Sequence, residues 1–207
     1  MKKGLIAFAA VFALAIAGLY GFRQTSVPDR WTLAAAESSF TFGSVKNGFI
    51  GEVHSIPGLS GGADATGAFS VSLDLASVET GVPIRNQRMR DLFFETAVYP
   101  VAVVNGTFHP ADFAGMKVGE RKVVRLPVTI ALHGIEASRE IEVSVVRLAR
   151  DKILAASEKP VMIDAAEFNL GEGIERLRAA VGLDSIAAVS PISFTLVFEG
   201  SPASANP

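Results

Sequence analysis

From Phe69 to Ala76 apolar and polar side chains take strict turns: Phe69, Val71, Leu73 and Leu75 against Ser70, Ser72, Asp74 and Ala76. An extended strand sends successive side chains to opposite faces, so this order gives a strand one buried face. The same period of two returns at Phe40 and Phe42, through Val124–Leu132, at Ile141, Val143 and Val145, and at Phe194, Leu196 and Phe198. Thr80, Gly81 and Pro83 end the first run. Met89, Leu92 and Phe93 then fall at i, i+3 and i+4, the spacing of a helix face, before Tyr99-Pro100 and a further strand over Val101–Phe108. Ala68–Pro100 therefore reads as strand, crossover helix, strand.

The remaining chain adds strands around that segment. Trp31–Leu33 and Ser38–Lys46 are expected strands, and Gly48–Val53 is a short one inside a glycine-rich stretch. Gly58–Gly62 reads as a loop, as glycine clusters often do. Pro127 cannot donate to a sheet ladder and marks an edge or a bulge. His133-Gly134 reads as a hairpin turn. Pro160 interrupts the apolar run Ile153–Ile163, and Ile174–Val181 has the spacing of a second short helix. About eight strands, two short helices and no repeated strand–helix unit argue against a parallel α/β sheet. They point to an antiparallel barrel or sandwich. An eight-stranded barrel has room inside for side chains plus one small or elongated ligand.

Composition narrows the function classes. The 207 residues suffice for one domain and a leader, and 49% of them are hydrophobic. A net charge of −2 lacks the basic face that nucleic acid demands. Fourteen Phe against two Tyr and one Trp favour dry contacts, since Phe has no polar handle. The absence of cysteine removes disulfides and thiolate chemistry. Lys2 and Lys3 precede an uncharged run from Gly4 to Phe22. That pattern fits a secretory signal, with Ala15-Ile16-Ala17 as a cleavage site, or an uncleaved membrane anchor. Either places the remaining chain outside the cytoplasm. The expected domains are a signal or anchor at 1–22, a linker at 23–30, one barrel domain at 31–200 and a disordered tail at 201–207.

Catalytic signatures are scarce: there is no G-x-S-x-G elbow, phosphate loop or H-E-x-x-H. His54, His109 and His133 lie beside expected turns, which suits surface or capping roles better than a shared metal site. Gly58–Gly62 and Gly171-Glu172-Gly173 are read as turn chemistry. Arg85, Arg88 and Arg90 surround the helix near Leu92, Phe93 and Phe94. They form either a solvated face paired with Asp91 or a basic rim for the head of an anionic amphiphile. Phe40, Phe42, Phe69, Val71, Leu73, Leu75, Phe194 and Phe198 share the inward parity. They line a ligand tunnel if the barrel is hollow and fill a core if it is not.

An ordered series of short motifs then carries a family resemblance. It runs through Trp31-x-Leu33, Ser38-Ser39-Phe40-x-Phe42, Val71-x-Leu73-Asp74-x-x-Ser77-Val78-x-Thr80-Gly81 and Arg90-Asp91-Leu92-Phe93-Phe94. It continues with Tyr99-Pro100, Val128-Thr129-Ile130-x-x-His133-Gly134-Ile135 and Ala166-Glu167-Phe168-Asn169-Leu170. The chain resembles the YceI-like family of exported bacterial proteins from about Trp31 to Glu199. The resemblance implies an all-β, lipocalin-like antiparallel barrel of eight strands with one or two short helices. It further implies a periplasmic, non-enzymatic protein holding a polyisoprenoid or isoprenoid-quinone chain, with no cofactor and no metal. The inward residues named above, with Leu92, Phe93 and Phe94, are the expected ligand wall, and Arg85, Arg88 and Arg90 the expected headgroup contacts. The N-terminal segment would supply any membrane association. An envelope enzyme using a histidine and a carboxylate, or a filled barrel that binds a protein partner, are the competing readings.

Overall fold

The structure is a computed structural model that describes Pro28 and residues 30–201; the expected signal or anchor, nearly all of the linker and residues 202–207 lie outside the described residues. Among the described residues eleven strands run in chain order: β1 Arg30–Leu33, β2 Ser39–Lys46, β3 Ile50–Ser55, β4 Leu59–Asp64, β5 Ala68–Asp74, β6 Val101–Thr107, β7 Arg121–Leu132, β8 Ile135–Ala149, β9 Lys152–Ser157, β10 Val161–Asp164 and β11 Val189–Ser201. Every pairing between them is antiparallel. β1 bonds to β4 on one side and to β11 on the other, which closes the sheet into a barrel.

Three staves of the barrel are broken in two, so eleven strands make an eight-stranded barrel, the expected fold class. A 3-10 turn at Ala35–Glu37 separates β1 from β2, Pro57 lies between β3 and β4, and Pro160 lies between β9 and β10. Proline has no N–H for the ladder, so a break at these two positions follows from the residue itself. Pro127 sits within β7 but just beyond the β6 ladder, which spans Val128–Ala131 of β7. That leaves it paired on the β8 side alone, with Glu140. His133 and Gly134 form a two-residue turn between β7 and β8, with φ of 52° and 78°.

Several local expectations are corrected. Gly58–Gly62 is not a loop, because Leu59–Asp64 is strand β4. A Cβ at Gly61 would stand 2.2 Å from the Ser70 carbonyl oxygen, and one at Gly62 would stand 2.2 Å from that of Trp31. These glycines let neighbouring strands approach, the other meaning of glycine in a sheet. Gly171-Glu172-Gly173 is not a turn cluster but opens helix α3, Gly171–Val181. The segment between β5 and β6 is no crossover, since those strands are adjacent and antiparallel. It is an excursion that crosses one end of the barrel.

That excursion contains helix α1, Pro83–Arg88, running into a π-helical turn over Met89–Phe93. The Phe94 N–H donates to the Met89 carbonyl at 2.9 Å, an i+5 bond that winds the chain wider than an α-helix. The wider turn brings Met89 and Phe94 into the core and leaves Leu92 half-buried. α3 packs across this turn: a Cβ on Gly173 would lie 3.0 Å from the Leu92 carbonyl oxygen. Helix α2, Ala111–Ala114, covers the opposite end. The main core runs through the barrel, and a second cluster around the fully buried Phe168 seals α3 against β8.

Candidate functional site

Inward-facing residues in a filled barrel are buried, and outward ones are not. Strand β9 breaks that rule, because all six of its residues are half-exposed. Its inward Ile153 and Ala155, like Phe194 and Phe40, face open space inside the barrel. Two internal chambers account for it. One of about 380 Å³ lies under α1, the π turn and α3; the other, of about 430 Å³, lies under α2. Phe40 on β2 and Leu73 on β5 line both, so these two side chains stand between the chambers.

The parity of each strand decides what lines them. Phe42, Leu75, Met89, Phe93 and Phe94 face the first chamber, with Ile192. Phe69, Val71, Phe194, Leu196 and Phe198 face the second. The structure thus brings together ten of the eleven apolar residues expected at the wall. Leu92 lies outside both chambers, because the π turn rotates it away. Of the three arginines, Arg85 and Arg88 line the first chamber and Arg90 does not.

Polar groups gather at the open end of the first chamber: Ser44, Lys46, Glu52, His54, Arg85 and Arg88. Arg85 Nη1 donates to both carboxylate oxygens of Glu52, at 2.9 and 2.8 Å, and Nη2 donates to the Thr80 carbonyl at 2.7 Å. Lys46 Nζ meets the same carboxylate at 2.8 Å. Lys46 and Arg85 together hold the Glu52 carboxyl below its ordinary range. Arg85 therefore pairs with Glu52 on β3 and not with Asp91. Arg88 has no carboxylate partner among the described residues.

His54 corrects another expectation, since it is not at a turn or on the surface. It sits in β3, is 5% exposed, and packs edge-on against Phe42. Ser44 Oγ and His54 Nε2 share a hydrogen bond of 3.0 Å, and Nδ1 has no partner. Burial pushes the His54 pKa down and the positive Arg85 pushes it further, so the ring is neutral near pH 7. A neutral imidazole has one donor and one acceptor nitrogen. Nε2 is engaged by Ser44 and Nδ1 is closed off from solvent, so the ring lines the chamber with both nitrogens turned into the protein.

The other two histidines lie elsewhere. His109 is exposed beyond β6, and His133 bonds to Glu95 at 2.9 Å beneath the Tyr99 ring. Arg176 of α3 also reaches Glu95, at 3.1 Å. No group of three His, Cys, Asp or Glu side chains suited to a metal ion occurs among the described residues.

Sequence reading missed Arg147. It is 7% exposed, inward on β8, at the wall of the second chamber. Its guanidinium donates to the Arg150 and Phe113 carbonyls at 2.9 and 3.1 Å and lies 5.6 Å from the centre of the Trp31 ring. It ties α2 to the barrel. Its signal was parity: Arg147 continues Ile141, Val143 and Val145 by steps of two.

The walls are mainly apolar, with most polar groups in the first chamber and Asp64 and Arg147 in the second. A polyisoprenoid binding domain from Saccharophagus degradans, implicated in plant cell wall breakdown, is similar at 37% identity and a TM-score of 0.81, over 83% of this chain and 98% of that one. BcnA from Burkholderia cenocepacia has the same fold at 18% identity and a TM-score of 0.63, over 80% of this chain and 98% of that one. No curated protein matches the chain. The sequence pattern of the YceI-like domain spans residues 31–198, nearly the whole barrel, and the chain therefore belongs to the YceI-like family.

Proposed function

We propose that this protein binds a polyisoprenoid lipid, such as an isoprenoid quinone, inside its barrel and serves as a carrier or buffer for it in the periplasm. The observation that carries the reading is the pair of mainly apolar chambers that share Phe40 and Leu73 as lining, with most of their polar groups in the first and Asp64 and Arg147 in the second. The S. degradans relative, a polyisoprenoid binding domain by name, supports the ligand class. The tail extends from the first chamber into the second. The headgroup lies beside His54, Arg85 and Arg88. Each 100 Å² of tail removed from water adds about 2.5 kcal/mol to binding. Arg88, which has no carboxylate partner among the described residues, supplies a hydrogen bond to a headgroup oxygen. The reading is one of binding without catalysis: Glu52, the carboxylate nearest in the chain to His54, is taken up by Lys46 and Arg85. The basic start and uncharged run of the leader support export to the periplasm.

Trp31 reports on the reading, because it is the sole tryptophan and lines the second chamber. Delipidated protein is titrated with a long-chain prenyl quinone and with the same ring lacking its tail. The expected result is a saturable change in Trp31 emission at one ligand per chain for the long-chain compound alone. No uptake of the long-chain compound would overturn the proposal.

A further inference from the structure

We propose that the open end of the first chamber is a docking rim for a bilayer surface containing anionic lipid. The rim comes from three elements that the fold holds together. The β2–β3 hairpin carries Phe49 and Ile50 at its tip, α1 begins beside Val82 and Ile84, and α3 ends at Val181. All five are exposed, and Phe49, at 81%, is the most exposed large apolar side chain among the described residues. Val82, Ile84 and Val181 also line the chamber, so one apolar surface runs from inside the barrel to solvent.

The hairpin tip is fixed in place. The Asn47 N–H donates to the Ser185 carbonyl at 2.9 Å, and Asn47 Oδ1 accepts from the Asp184 N–H at 3.0 Å, which ties the tip to the segment after α3. The Arg85–Glu52 pair ties α1 to β3. Asn47 itself takes a φ of 51°, a left-handed turn conformation that presents Phe49 outward.

Charge selects the occupant. Lys46, Arg85 and Arg88 line the same mouth against Glu52, with Asp184 the exposed carboxylate beside the hairpin tip. An exposed apolar rim flanked by excess positive charge matches the interface of an anionic bilayer, where rings insert among headgroups and cations meet phosphates. A protein partner would have to seal a mouth that opens onto an apolar chamber. A bilayer is continuous with it. The inference rests on the lipid-binding reading only for the purpose of docking; the surface is argued from its own residues.

The test uses the full chain with one added tryptophan, Phe49→Trp at the rim or Val118→Trp at the other end. Val118 is exposed beside Gly119, whose N–H donates to the Arg147 carbonyl by the second chamber. Each is mixed with vesicles of brominated phosphatidylglycerol. The expected result is a blue shift and quenching of added-tryptophan emission for F49W and not for V118W. Arg88→Gln should weaken vesicle partitioning of F49W about five-fold, the effect of one basic side chain near an anionic surface. Quenching of V118W alone, of both equally or of neither overturns the rim. A blue shift of F49W that grows with protein concentration without vesicles assigns the surface to a second copy of the chain and also overturns it. Because the assay needs no bound ligand, its failure leaves the lipid-binding reading standing.

Discussion

Ser44 Oγ and His54 Nε2 stand 3.0 Å apart on adjacent strands, and the other nitrogen of the same buried ring has no partner. The folded pKa of His54 lies below its ordinary 6.5 because of burial and Arg85. The unfolded chain then binds the proton first as pH falls. The stability that His54 contributes is complete above 6.5 and is lost as pH falls toward the folded value. Urea midpoints measured from about pH 7.5 to about pH 5 should decline. His54→Gln, which keeps a donor and an acceptor, should flatten that decline. The depressed carboxylates Glu52 and Glu142 titrate below 4.5 and act outside this window.

Phe168 is 0% exposed and anchors the cluster that joins α3 to β8. Phe168→Ala leaves a cavity that surrounding strands cannot close, and it should cost about 3–5 kcal/mol. Denaturant unfolding measures this directly.

The strand pattern was legible in sequence because barrel staves have one wet face and one apolar face; Phe69–Leu75 and Phe194–Phe198 show it plainly. Whether the apolar face meets side chains or empty space was not legible, since Ile153 and Ala155 would be apolar either way. Gly61 and Gly62 were misread because glycine serves both turns and close strand approach. Leu92 was misplaced because helical spacing assumes 3.6 residues per turn, and nothing in the local sequence announces the π turn. His54 was misread because proximity to Gly51 and Pro57 outweighed its parity with Glu52 and Ile56.

The second chamber can be filled without breaking the sheet. Ala155 faces it from β9, where its register partners are Leu196 and Val145. Ala155→Phe should place its ring in the empty volume, keep the thermal midpoint and abolish uptake of the long-chain ligand. A fall in the midpoint would mean that the ring is overpacked and that the space is too small for a tail. Thermal melts and mass spectrometry of the loaded protein read the two effects separately.

Gly61 holds a φ of 144°, and any Cβ there meets the Ser70 carbonyl. Gly61→Ala should cost roughly 1–3 kcal/mol of backbone strain. It should also raise amide exchange along the β4–β5 ladder, with little change along the β7–β8 hairpin.

The most direct test of the central claim is mass spectrometry of an organic extract of the protein purified from its native membranes. The account predicts a co-purifying prenyl lipid at up to one molecule per chain, absent from Ala155→Phe. A clean extract from the unaltered protein, together with no uptake of added long-chain prenyl quinone, would contradict it.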